Sequence, residues 1–319
     1  MIQKVSITHF KSIKQLSLEA KRVNIFIGKP NVGKSNLLEA LGLFSLSHGN
    51  QGQIRYKDYN NLFYDNDLSQ NIVVAADDFT CLVSPGNNIP AIHALNEKDS
   101  THNLFDYYIQ TNDLRVSNHG MIKYYLFRVL EQFEGYYTFL EPPYGKNLFQ
   151  VLSSNKKLRS IVSEILVDQG SQLLLRQQDR EIEIAKVIDQ ILYAYPYQTL
   201  SDTLQRLVFY LAAIKTNKNS TLLFEEPENN LFPFYSKYLA EEIAEDTDNQ
   251  YFLVTHNPYF LLSLAEKTNK DDLQIFITYL EDYQTKVKLL NSDEVSELLD
   301  LDASIFFNLD TFLEGESVH

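Results

Sequence analysis

The chain has 319 residues and a mass of 36.9 kDa, 44% of them hydrophobic, with 20 Phe, 20 Tyr and no Trp; this suits about two domains, or one large domain with an insertion. Eleven Gly and nine Pro exclude a low-complexity architecture, and a single cysteine, Cys81, excludes an intramolecular disulfide and a Cys-based zinc site. The net charge of −14 is uneven: residues 225–319 hold 21 acidic against 5 basic residues, and residues 1–224 hold 21 against 23, so a basic nucleic-acid footprint would have to be local and lie in the first two-thirds.

The longest nearly apolar stretch, residues 207–214, is too short to span a bilayer, and residues 1–10 lack the basic-then-apolar form of a secretory signal. The expectation is a cytoplasmic protein without a membrane partner. Ile2, Val5 and Ile7 alternate with polar residues, as in a strand, and Leu16, Leu18, Val23, Ile25 and Ile27 continue that period. Residues 35–46 read as a helix, with Leu37, Leu38, Leu41 and Phe44 at helical spacing. Residues 72–76 and 79–83 read as a hairpin. From residue 85 to 196 turn formers give way to apolar runs over 122–133 and 158–192, which predict a mainly helical insertion. After residue 200 the pattern is helix 203–214, strand 221–224, helix 234–245, strand 251–254, helix 258–266, then a hairpin of 273–279 and 285–290 and an acidic tail. Such alternation predicts an α/β fold with a mainly parallel sheet.

The residues between that third strand and the first helix, Gly28, Lys29, Pro30, Asn31, Val32, Gly33, Lys34 and Ser35, fit the phosphate-loop pattern GxxxxGK[ST]. Its glycines let backbone N–H groups wrap phosphate oxygens at the positive end of the following helix, which Asn36 continues. Lys34 is placed for the β- and γ-phosphates and Ser35 for Mg²⁺. None of the eleven glycines has Asp three residues before it, so the γ-phosphate sensor DxxG of a GTPase is missing, and the match of Asn269, Lys270, Asp271 and Asp272 to NKxD is a coincidence.

Leu222, Leu223 and Phe224 followed by Glu225, Glu226, Pro227 and Glu228 form an apolar strand ending in acids, a Walker B arrangement. Glu225 is a candidate Mg²⁺ ligand and Glu226 a candidate base for the attacking water. The next strand ends in Thr255, His256, Asn257 and Pro258, which puts a histidine where it can sense the γ-phosphate. Leu200, Ser201, Asp202, Thr203, Leu204, Gln205 and Arg206 open an apolar helix whose N-cap, Ser201, is a candidate anion contact.

This order of motifs resembles the ABC-type ATPase heads of the SMC-like and RecF-like families, and most closely the OLD-like AAA ATPases of bacterial defence systems. Ile7-Thr8-His9-Phe10-Lys11-Ser12-Ile13 and the run Gly33 to Leu41 resemble that group as well. The resemblance covers residues 1–80 and 197–290, and implies an ATPase head of residues 1–84 and 197–319 with residues 85–196 inserted. It further implies ATP and Mg²⁺ as cofactors and a homodimer or higher homo-oligomer. Each ATP would be bound by one subunit's phosphate loop and touched in trans by Ser201, Asp202 and Gln205 of the other; Glu226 would be the base, and His256 the switch. A separate effector, a nuclease or toxin, is implied as partner, with DNA binding and antiphage defence as the setting. The signature lacks the usual glycine, and Gln51, Gln53 and Gln70 all remain candidates for the glutamine that follows the first core helix. The DxD of Asp300 and Asp302 has no room for a Toprim domain around it and reads as tail surface charge. An ATP-gated scaffold with negligible hydrolysis and a DNA-repair ATPase are the alternatives.

Overall fold

The computed structural model describes residues 1–48, 52–85, 91–96, 105–108 and 122–313. Two six-stranded sheets and a small third one organise them. The chain opens with strands β1 (Lys4–Phe10), β2 (Ile13–Glu19) and β3 (Val23–Ile27), then helix α1 (Lys34–Gly42), which is continued by a 3-10 turn. Strands β4 (Ile72–Ala76), β5 (Phe79–Val83), β6 (Ala91–Asn96) and β7 (Phe105–Tyr108) follow. With β1 and β2 they make an antiparallel sheet in the order β2-β1-β4-β5-β6-β7.

The next stretch departs from the mainly helical expectation. Residues 122–133 hold strand β8 (Ile122–Tyr125) and then irregular chain, and only helices α2 (Leu148–Ser154) and α3 (Lys156–Asp168) follow. A three-stranded antiparallel sheet of β9 (Gln172–Arg176), β10 (Glu181–Ile188) and β11 (Ile191–Pro196) then occupies residues expected to be helical. Two physical reasons account for this. A strand buried on both faces reads as a continuous apolar run, and β8 is buried throughout. Gly170, at φ 67, ends the helical run, after which β10 alternates Glu181, Ile182, Glu183, Ile184 with the strand period of two.

Helix α4 (Asp202–Thr216), strand β12 (Thr221–Glu225), helix α5 (Pro233–Glu245), strand β13 (Gln250–Val254) and helix α6 (Pro258–Lys267) match the predicted alternation. The terminal hairpin is β14 (Leu273–Glu281) and β15 (Gln284–Leu289), and the acidic tail forms helix α7 (Ser292–Asp300) and two 3-10 turns. Asp300 and Asp302 are both exposed there.

The second large sheet, β15-β14-β3-β13-β12-β8, is parallel except for β15. It separates two cores. Phe26, Leu223, Phe252 and Phe276 face α1 and the antiparallel sheet, while Ile25, Ile27, Leu222, Phe224 and Leu253 face α4, α5 and α6. Leu148, Leu158 and Val162 of α2 and α3 join this second core. Phe26 stacks on Phe276 at 5.0 Å and on Phe252 at 6.3 Å between ring centroids, which ties three neighbouring strands below the loop that leaves β3.

Candidate functional site

The loop after β3 is shaped by two glycines. Gly28 has φ 154 and Gly33 φ 96; a Cβ on the first would lie 2.3 Å from the Thr278 carbonyl oxygen, and one on the second 2.0 Å from Thr285 Oγ1. Asn31 also adopts a left-handed φ of 62. Thr285, on β15, donates to the Val32 carbonyl at 2.9 Å and pairs with Ser12 Oγ at 2.6 Å, and Asn36 donates to the same Ser12 oxygen. Helix α1 starts at Gly33 with no side-chain cap, so an anion is the natural partner of its first-turn N–H groups.

Lys34 is buried and its ammonium donates to the Gly28 and Lys29 carbonyls at 2.8 and 2.6 Å. Burial lowers its pKa to about 8 against the opposing pull of Glu226 and Glu225. Lys29 instead reaches outward to Asp310 at 2.6 Å, an exposed pair of little energetic weight. Ser35 donates to Glu225 Oε1, and Tyr124 donates to Glu225 Oε2 at 2.9 Å. Burial, and then Glu225, hold the Tyr124 hydroxyl well above its usual range.

One residue further, Glu226 takes a left-handed φ of 45, its N–H donating to the Val254 carbonyl at 2.9 Å. That turn brings its Oε1 within 3.4 Å of His256 Nε2. Burial, and then Lys34, lower the His256 pKa, so the imidazole is neutral at pH 7. Glu228 turns inward. It is buried, accepts from Thr255 Oγ1, leaves Oε2 without a protein partner, and burial raises its pKa to about 7.

Lys34, Ser35, Glu225, Glu226 and His256 therefore line one cavity of 710 Å³, together with Asn31, Gly33 and Asn36. Three separated stretches of sequence meet there, and sequence reasoning missed three further site residues at scattered positions: Lys11, Glu39 and Arg55. Buried Glu39 pairs with Lys11 and with Arg55, and Arg55 continues to Glu225 at 3.3 Å. Tyr124, from β8, was missed as well. Only the residue types could have hinted at these contacts, because each partner lies on a different element.

The predicted helix residues divide. Ser201 caps α4 by accepting from Leu204 N–H and is exposed with Asp202, outside the cavity. Gln205 is buried, its amide donating to the Leu200 and Gln198 carbonyls. Arg206 and Tyr210 of that same helix do line the cavity. Of the candidate glutamines, Gln53 is buried and Gln70 exposed, neither lining the cavity, and Gln51 lies outside the described residues.

The donors fit a nucleotide triphosphate with a hard cation. A buried ammonium meets only carbonyls, an uncapped helix start adjoins it, and a hydroxyl and a carboxylate share one point. Among the described residues no cluster of three or more His, Cys, Asp or Glu could hold a metal alone. Ser35 and Glu225 are the oxygen donors that would hold Mg²⁺, which typically takes one or two protein oxygens plus phosphates.

Solved SMC heads share this fold. A crystal structure of the SmcHead bound to the C-winged helix domain of ScpA aligns at 16% identity with a TM-score of 0.56, over 93% of this chain and 99% of that one. A crystal structure of the Smc head domain with an extended coiled coil bound to the C-terminal domain of ScpA, derived from Pyrococcus furiosus, aligns at 14% identity with a TM-score of 0.54, over 94% and 98%. No curated protein matches the sequence. Residues 1–75 match a family described as a protein of unknown function (DUF2813). Residues 88–263, more than half of the chain, match the family described as "AAA domain, putative AbiEii toxin, Type IV TA system". With a phosphate loop, paired strand-end acids and a strand-end histidine on one cavity in an SMC-head fold, the chain belongs to that AAA-domain ATPase family.

Proposed function

We propose that the protein is a Mg²⁺-dependent ATPase that closes as a homodimer, or within a higher homo-oligomer, around ATP. The observation that carries this reading is the meeting of Lys34, Ser35, Glu225, Glu226 and His256 on one cavity, with Glu226 and His256 3.4 Å apart. Lys34 and the α1 N-terminus bind the phosphates of the substrate. Ser35 and Glu225 hold the cation, which when bound neutralises phosphate charge and polarises the phosphoryl group. Glu226 orients a water and accepts its proton, and His256, neutral at pH 7, hydrogen-bonds to Glu226 or to the terminal phosphate.

Exposed Ser201 and Asp202 stand outside their own cavity, which supports a role toward a second subunit's nucleotide. ATP then favours closure because its phosphates are shared only in the closed state. Residues 85–196, which lie between the two head segments in sequence and supply β6, β7 and β8 to its sheets, relay that closure to a separate effector, a nuclease or toxin, or to DNA. The ScpA-bound SMC heads support a partner. Antiphage defence in the cytoplasm is the setting this implies by analogy.

Phosphate release by the purified protein tests the reading. Glu226→Gln should bind ATP, release phosphate at least about a hundredfold more slowly and accumulate as the closed dimer, while Lys34→Ala should neither bind ATP nor accumulate as that dimer. Turnover by Glu226→Gln at the wild-type rate would remove Glu226 from the role of base. A second reading, an ATP-gated scaffold without turnover, is favoured by the inward-facing Gln205 amide; it predicts nucleotide-dependent assembly with no phosphate release by wild type.

A further inference from the structure

The outer end of the β10–β11 hairpin, from Lys186, carries no residue of either core. Its turn residues, Asp189 and Gln190, have φ 50 and 66, the tight form whose twist matches the flanking strands. The inner half of β10 is anchored, with Ile182, Ile184 and Ala185 buried. Beyond Lys186 every residue of both strands that has been described, through Pro196, is exposed. Val187 is 59%, Ile191 55% and Leu192 54% exposed, and Tyr193 and Tyr195 more than 40%. Because side chains alternate across a strand, both faces of the projection are apolar.

Among the described residues β11 pairs with β10 on one side only and is an edge of its sheet. Free edges are normally protected by charge, Pro or brevity. Ile191, Leu192, Tyr193, Ala194 and Tyr195 carry no charge, and Pro196 sits only at the inner end.

We propose that β11 pairs with the β11 of a second copy of this chain, extending the three-stranded sheet across a two-fold axis into six strands. Charge favours this occupant. Two copies of a chain at −14 repel, but residues 172–196 hold four acidic and three basic residues, so this face is nearly neutral. An isologous contact sets each strand against itself, and here apolar residues meet apolar residues in any antiparallel register. A lipid surface fits less well, because Asp189 and Gln190 at the tip would enter it first. The contact is small against the 20–30 residues per side of a standard interface, so it forms a weak, concentration-dependent dimer. It needs no nucleotide and is independent of the ATP-bridged closure proposed above. Five residues separate Pro196 from Asp202, so the pairing also anchors the chain that leads into α4.

Sedimentation of the full chain without nucleotide, and of Lys34→Ala with ATP, tests this. Both should pass from monomer toward dimer between about 1 and about 100 µM, and the double variant Ile191→Lys, Tyr193→Lys should weaken dimerisation at least tenfold with an unchanged melting temperature. Because Cys81 is buried, single cysteines at 191–195 should cross-link on oxidation, most strongly at one position, whereas Tyr283→Cys, at an exposed turn, should not. A wild type that stays monomeric at about 100 µM, or a dimer that persists in the double-lysine variant without cross-linking at β11, overturns the proposal. Co-flotation with zwitterionic vesicles that Tyr193→Lys abolishes would overturn it in favour of lipid.

Discussion

The guanidinium of Arg55 stands 3.3 Å from Glu225 Oε1, the oxygen that also accepts from Ser35. A cation on one side and a hydroxyl on the other thus already occupy the point where a divalent ion would sit. Glu39, fully buried and bonded to Arg55 Nε at 2.7 Å, keeps the guanidinium there. The pair competes with metal binding, so Arg55→Gln should raise the affinity for Mn²⁺ in the absence of nucleotide. Arg55 is 60% exposed, which limits the pair to about 1 kcal/mol or less, and the gain to about fivefold. Electron paramagnetic resonance of free Mn²⁺ measures it, and equal affinities would mean that Arg55 yields the position without competition.

Lys34 titrates near pH 8 because it is buried. Phosphates beside it favour the ammonium and return its pKa upward. ATP binding should therefore take up protons, and increasingly so from about pH 7 to about pH 9, where the free protein has progressively lost this one. Calorimetric titration in buffers of different ionisation heat reports the uptake. Uptake that does not change with pH would place the shift on another group.

Glu228 presents the opposite case of a carboxyl raised to about 7 by burial. The folded state holds this proton more tightly than the unfolded chain. Its contribution is therefore fully present below the unfolded carboxyl range and is lost as pH rises through about 7. At ~1.4 kcal/mol per unit, the loss from pH 4.5 to 7 is on the order of 3 kcal/mol. Glu228→Gln keeps an acceptor for Thr255 and removes the charge, so urea unfolding should show wild type losing stability relative to the variant over that window. Parallel pH profiles for the two proteins would contradict the shift.

Phe26 lies between Phe252 and Phe276 in the sheet and is 1% exposed. Phe26→Ala should lower stability by about 3–5 kcal/mol, and nucleotide affinity should fall with it because β3 carries the phosphate loop. Conservative Phe26→Leu should restore most of both, as read by thermal melting and calorimetry.

The sequence made the phosphate loop, the acidic strand end and His256 legible because each joins a local pattern to a strand or helix terminus, and the parallel sheet brings those termini to one side. It could not show Arg55, Lys11 and Glu39 as one network, since the ion pairs join elements whose separation along the chain has no period. Nor could it separate β8 from a helix. Ile122, Tyr124 and Tyr125 are buried on both sides of the sheet, so no alternation marks the strand. In β10 the alternation was present, but the exposed apolar residues of the hairpin tip obscured it.

The left-handed backbone at Glu226 sets two demands against each other. A residue with a Cβ is strained there by about 1 kcal/mol, and glycine is not. On backbone grounds Glu226→Gly would give a sturdier protein, yet it would strip away the carboxylate that faces His256. Selection for thermal robustness alone would thus erode this position, and a variant that melts higher while losing turnover is the signature such erosion would leave.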